Sequence, residues 1–157
     1  MGDTDYTKAD SRRSRSLCCL HGRRALASGR GAQWSDGRAA LLDEWVRHMA
    51  GRAEIVLSVC TGSLILAADG LLRGLEATTH HGAREVLTST EPRCRVVKRR
   101  VVDTGAIVTA AGVSAGIDGA LHVVSRLAGT PIAVECASYM EYVWRVTESV
   151  ADAGSVY

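Results

Sequence analysis

Phenylalanine is absent from the 157 residues, and aromatic side chains together make up only 4%. Any core must therefore be filled by Val, Leu, Ile and Ala. Long apolar runs are also missing: none reaches the roughly 18 residues that span a bilayer, which excludes a transmembrane helix, and no membrane partner is expected. The first ten residues, Met1 to Asp10, are polar and contain no apolar stretch of the secretory kind, so a cytoplasmic location is expected. Cysteine is present but unpatterned. Cys18, Cys19, Cys60, Cys94 and Cys136 are odd in number, irregular in spacing and form no CxxC pair. That argues against a disulfide framework and against a structural zinc site, so reduced thiols and no metal are expected. A strong charge of one sign is lacking too. The formal net charge of +2 is too mild for a chain that binds nucleic acid along its length.

What is there suits one soluble domain. Hydrophobic residues are 46% and charged residues 23% of the chain. Charge is uneven, with Arg12, Arg13, Arg15, Arg23, Arg24 and Arg30 crowded at the front. Residues 1–34 hold neither the helical nor the strand period, and the Leu17-Cys18-Cys19-Leu20 patch is short and flanked by arginines. This stretch reads as an Arg-rich disordered arm containing no strand. Two alternatives are a basic arm on nucleic acid, disfavoured because no aromatics interleave to stack on bases, and foreign residues replacing the beginning of a domain. The folded unit is expected over residues 35–150.

Within it, Ser35 or Asp36 caps a helix whose Ala39, Leu42, Trp45, Val46 and Met49 share one face, and Gly51 ends it. Glu54 to Val59 is an apolar, β-branched run that reads as a buried parallel strand. A helix over Ser63–Ala68 follows, closed by Asp69-Gly70. Ala77–Thr79 reads as a strand tip, with a helix from about Gly82 to Leu87. Arg95–Val102 and Ala106–Ala110 read as two strands of a hairpin about Asp103-Thr104-Gly105. A helix over Ala115–Leu127 turns Ile117, Ala120, Leu121, Val124 and Leu127 inward. Thr130 as N-cap and Pro131 at the first helical position then open a last long helix, reaching towards Trp144. This order predicts an α/β fold with a mainly parallel sheet.

The chemistry centres on Leu57-Ser58-Val59-Cys60-Thr61-Gly62-Ser63. A buried strand runs directly into a turn and a helix, with a nucleophile at the junction and small residues two positions to either side. A nucleophile elbow needs this pattern, because its strained centre leaves no room for large neighbours. Cys60 would then stand at the carboxyl end of the sheet and at a helix start, where a thiolate is favoured. The alternative is a small buried hydrophobe. His80 and His81 follow a strand end, where parallel sheets gather ligands, and His80 can orient or deprotonate Cys60. The bland alternative is a surface helix cap. His21, His48 and His122 read as structural or solvated, and Glu135 and Glu141 as part of a solvated helix face.

Four segments in order carry a resemblance: Ser58 to Leu64, Gly70-Leu71-Leu72-Arg73-Gly74, Ala77-Thr78-Thr79-His80, and Thr109 to Asp118. Over about residues 35–145 the chain resembles the ThiJ/PfpI superfamily, the class I glutamine-amidotransferase-like group. Within it, the chain is most similar to isonitrile hydratase-like proteins and to ligand domains of AraC-type regulators. The resemblance implies a flavodoxin-like three-layer sandwich, a small-molecule substrate or ligand, no cofactor and a homodimer. It makes Cys60 the nucleophile, with Thr61 lending its N–H and hydroxyl and His80 facing the sulfur. Gly112, Val113 and Ser114 form a loop near the pocket. Gly29-Arg30-Gly31 resembles the glycine-rich loop that lends oxyanion N–H groups. The family begins with about two βα units whose first strand ends near a catalytic acid. Residues 1–28 show no counterpart, so an incomplete sheet, and weak or no turnover, are expected. The remaining alternatives are a ligand-sensing domain and an inactive or redox-sensitive thiol protein.

Overall fold

The computed structural model describes residues 17–21 and 38–144, with side chains from residue 44 onward. Among these described residues, five α-helices and a four-stranded sheet dominate, beside a second sheet of two short strands. Strand β2 (Ile55–Val59) sits at the centre because every one of its side chains is buried, the signature of a parallel strand covered on both faces. It pairs in parallel with β6 (Ile107–Ala110) on one side and with β1 (Leu17–His21) on the other. Strand β5 (Val101–Asp103) closes the far side antiparallel to β6, giving the order β1-β2-β6-β5. The hairpin expected about Asp103–Gly105 is present: Gly105 takes φ 95 and its N–H donates to Asp103 Oδ1 at 2.8 Å.

Strand alternation divides the core in two. Val56 joins Val46, Leu64, Leu66, Leu72 and Leu87 on one face, beneath α1 (Arg38–Ala50), α2 (Gly62–Ala68) and α3 (Arg84–Thr90). Ile55, Leu57 and Val59 join Val101, Val108 and Val123 on the other, beneath α4 (Ala115–Ala128). Helix α5 (Thr130–Tyr139) lies on α4 rather than on the sheet, burying only Ala133 and Ala137. Gly116 and Gly119 let α4 approach closely. A Cβ at Gly116 would lie 2.7 Å from Val59 Cγ1, and one at Gly119 would lie 3.0 Å from Ala110 Cβ. The fold is thus the expected three-layer, mainly parallel α/β sandwich.

Several sequence expectations need correction. Leu17–His21, placed in a strandless arm, forms β1 in full register with β2. Four apolar residues are too few to declare a strand by periodicity, but the open edge of a buried strand supplies their backbone partners. His21, read as part of the arm, stands opposite Val59, one residue from Cys60. Trp45 is 48% exposed, so the buried face of α1 is set by Val46; the side chains of Ala39 and Leu42, and the caps Ser35 and Asp36, lie outside the described residues. Ala120 is exposed, and Gly119 and Val123 are buried in its place. The run Arg95–Val102 breaks. Its first residues form β4 (Arg95–Val96), parallel to β3 (Glu76–Ala77), before the chain crosses to β5. The break falls on Lys98-Arg99-Arg100, where Thr78 Oγ1 donates to the Arg99 carbonyl at 2.8 Å.

The helix expected from Gly82 begins as a 3₁₀ turn over His81–Ala83. Gly129, with φ 98, takes the N-cap position given to Thr130. The last helix stops at Tyr139, short of Trp144, in a Schellman turn. Glu141 enters the left-handed region (φ 53), Glu141 N–H donates to the Ser138 carbonyl, and Tyr142 N–H reaches the Ala137 carbonyl.

Candidate active site

Cys60 follows the last residue of β2 and precedes α2 by one residue. Its φ of 59 lies in the left-handed region, which L-residues avoid by about 1–2 kcal/mol. Four hydrogen bonds impose that conformation. The Cys60 N–H is shared between the Ala110 and Ala111 carbonyls, each at 3.0 Å. The Cys60 carbonyl accepts from Thr79 Oγ1 at 3.0 Å and from Ser63 Oγ at 3.3 Å. The elbow is therefore locked to the end of β6 and to the segment after β3, and the thiol is half-buried rather than sealed in the core. This is the strand-to-helix kink that the sequence pattern around Cys60 predicts.

The same bonds gather the other expected residues. Thr61 is fully buried at the N-cap of α2. His80 directly follows Thr79, whose hydroxyl holds the Cys60 carbonyl. Its Nδ1 accepts the Gly82 N–H at 3.2 Å, which places the proton of the neutral ring on Nε2. The edge carrying Cδ2 and Nε2 lies over Gly112: a Cβ there would come within 2.7 Å of Cδ2 and 3.5 Å of Nε2. Any side chain at 112 would therefore displace the imidazole. His81 stacks on His80 with ring centres 4.1 Å apart. Val113 extends into solvent at φ 36, and Ser114 caps α4 without a side-chain bond to that helix. Gly29 and Gly31 lie outside the described residues.

Other titratable groups play different parts. Cys94 is buried, and burial together with the nearby Glu91 pushes its thiol above the ordinary 9.0, leaving it protonated at neutral pH. Cys136 is exposed on α5. His122, read as structural or solvated, donates from Nε2 to Asp103 Oδ2 at 2.7 Å and braces the hairpin on α4. Four residues escaped the sequence reading. Thr79 steadies the elbow through its hydroxyl. Arg100 bonds Asp118 through Nε at 2.7 Å and Ser114 Oγ through Nη2 at 3.3 Å, and Tyr142 donates to Asp118 Oδ1 at 3.0 Å. Thr79 and Asp118 carried a signal, since both lie in segments of the resemblance; Arg100 and Tyr142 are brought to them by chain crossings that no spacing rule records.

The chain is similar to several known proteins. Over 99 residues the chain is 41% identical to an isonitrile hydratase of Pseudomonas putida, which is 63% of this chain and 42% of that one. It is 31% identical over 94 residues to the HTH-type transcriptional regulator CdhR of Pseudomonas aeruginosa, covering 60% of this chain and 28% of the regulator. Among solved structures, a ThiJ/PfpI family protein from Pseudomonas syringae superposes with a TM-score of 0.60 at 34% identity, over 77% of this chain and 47% of that one. The chain thus spans less than half the length of these relatives. The profile of the DJ-1/PfpI family matches residues 29–126, a range that includes the elbow, His80 and the 112–114 loop, and the chain belongs to that family.

Proposed function

We propose that this protein uses Cys60 as a nucleophile towards a small electrophile, with an isonitrile as the substrate class and an N-substituted formamide as the product. The observation that carries this reading is the left-handed φ of Cys60 at the β2–α2 junction, within a segment similar to a hydratase. A strained backbone kept by four hydrogen bonds needs a compensating use, and presenting a sulfur at the open end of a sheet is such a use.

In the proposed reaction the Cys60 sulfur bonds to the terminal carbon of the isonitrile. The thiol proton ends on the same carbon, giving a thioimidate, and His80, whose Nε2 carries the ring proton, serves as a hydrogen-bond donor to the site. Water then adds to that carbon, the C–S bond breaks, the thiol recovers its proton, and the formamide leaves. Thr61 N–H at the start of α2 serves as a donor to charge developing on the substrate. The family resemblance also implies an acid contributed by a preceding βα unit, and general acid–base assistance of that kind is typically worth about 100-fold or more.

Intact-protein mass spectrometry after incubation with an alkyl isonitrile tests this. One adduct located at Cys60, with release of formamide and neither signal in Cys60→Ala, is the expected result. An adduct or product that survives Cys60→Ala overturns it. A second reading, a ligand-sensing domain, is favoured by the similarity to CdhR. It predicts saturable binding of a small molecule that leaves the Cys60 thiol unmodified.

A further inference from the structure

Arg100 holds both ends of the loop that lies against His80. Its carbonyl accepts the Ala111 N–H at 2.8 Å, and its Nη2 donates to Ser114 Oγ at 3.3 Å. A serine at a helix N-cap normally turns its oxygen onto an N–H of the first turn. Ser114 makes no such bond, and its oxygen goes to Arg100 instead. Between these anchors stands Val113, 80% exposed and at φ 36, a β-branched residue in a region it disfavours with no packing to keep it there. Its conformation must be imposed from the flanks.

The guanidinium is itself fixed. Asp118, only 8% exposed at its side chain, receives Nε at 2.7 Å and Nη2 at 2.6 Å on Oδ2. The other oxygen accepts from Tyr142, delivered there by the Schellman turn after α5. A buried carboxylate satisfied on both oxygens leaves the arginine little freedom to swing.

We infer that Arg100 is a positioning residue: held by Asp118 and Tyr142, it sets the Gly112–Ser114 loop, and through Gly112 the orientation of the His80 imidazole beside the Cys60 elbow. The inference rests on the proposed pairing of His80 with Cys60. The competing role is a plain brace between α4 and the chain before β5.

Two readouts on the full-length protein separate these roles. One is the ¹⁵N–¹H spectrum of the His80 ring, assigned with His80→Asn. The other is the rate of Cys60 alkylation by iodoacetamide at neutral pH. Arg100→Ala and Ser114→Ala are expected to displace the His80 resonances and change the alkylation rate by about threefold to tenfold. Arg100→Lys keeps the charge on Asp118 but cannot also reach Ser114, so it should recover thermal stability without recovering the His80 spectrum. Asp103→Asn, which cuts an ion pair elsewhere on α4, should lower stability and move neither readout. If Arg100→Ala does not fold, Ser114→Ala decides alone. Unchanged His80 resonances in Ser114→Ala overturn the inference. If wild-type Cys60 reacts no faster than Cys94 and Cys136, the nucleophile reading fails, while the His80 spectrum in a Cys60→Ala background still decides the role of Arg100.

Discussion

At Cys60 a single dihedral angle separates backbone cost from chemical use. Glycine adopts φ 59 freely, so Cys60→Gly should leave thermal stability within about 1 kcal/mol of wild type while removing the thiol. Cys60→Val adds a β-branch to the same angle and should cost about 1–2 kcal/mol. Thermal unfolding of both variants checks the sign of the difference; equal stabilities would show that the elbow is not strained. Gly112 is the complementary case. The cost of Gly112→Ala falls on the His80 ring rather than on the core, since the nearest atom is Cδ2 at 2.7 Å. Cys60 alkylation should therefore change more in this variant than the unfolding midpoint does.

Helix α4 illustrates how an element is placed by what it omits. With glycine at 116 and 119, its backbone settles on Val59, Leu57 and Ala110, immediately behind the elbow. Gly116→Ala drives a methyl group to 2.7 Å from Val59 Cγ1 and should destabilise by about 1–3 kcal/mol, read as a lowered denaturation midpoint at unchanged slope. The end of α5 offers the opposite opportunity. Glu141 is exposed, and its left-handed angle is one that glycine takes without penalty. Glu141→Gly should raise stability by about 0.5–1 kcal/mol in chemical denaturation. A loss instead would mean that the Schellman turn depends on the glutamate side chain.

At the scale of the described residues, two apolar layers on either side of the main sheet supply the cohesion, and a few part-buried ion pairs fix the connections. Asp103 shows how such a pair responds to pH. Burial alone would raise its carboxyl. Hydrogen bonds from His122 and the Gly105 N–H, with the charges of Arg126 and His122, outweigh burial and hold it below the ordinary 3.8. A depressed folded-state value means the contribution is complete above the unfolded value and disappears as pH falls through the folded one. Asp103→Asn should therefore cost about 1–3 kcal/mol at neutral pH, with the gap to wild type closing below about pH 4. A gap independent of pH would assign the loss to packing rather than charge.

Apart from the break that divides Arg95–Val102 between β4 and β5, the order of elements from α1 to α5, the buried central strand and the elbow cysteine were legible because each is written locally. Val, Ile and Leu in an unbroken run demand burial on both faces, and small residues around Cys60 permit a kink. The placement of His80 was legible only as a position after a strand. Its contact with Gly112 joins residues 32 apart and needed the crossing of β3 and β6 segments at one end of the molecule. The β1 strand was missed because Leu17–Leu20 carries no period of its own and is specified by the edge of β2. Trp45 was misplaced because helical spacing defines a stripe, but only the packed neighbours decide which margin of that stripe meets water. The sequence by itself determined the local conformations and the identity of the nucleophile candidate, both consequences of short-range sterics and hydrophobic period. The tertiary structure alone decided which side chains meet: Thr79 on the elbow carbonyl, Arg100 between Asp118 and Ser114, His80 over Gly112. Such contacts arise from burial and hydrogen-bond satisfaction across distant segments, and no residue records its partner in its neighbours along the chain.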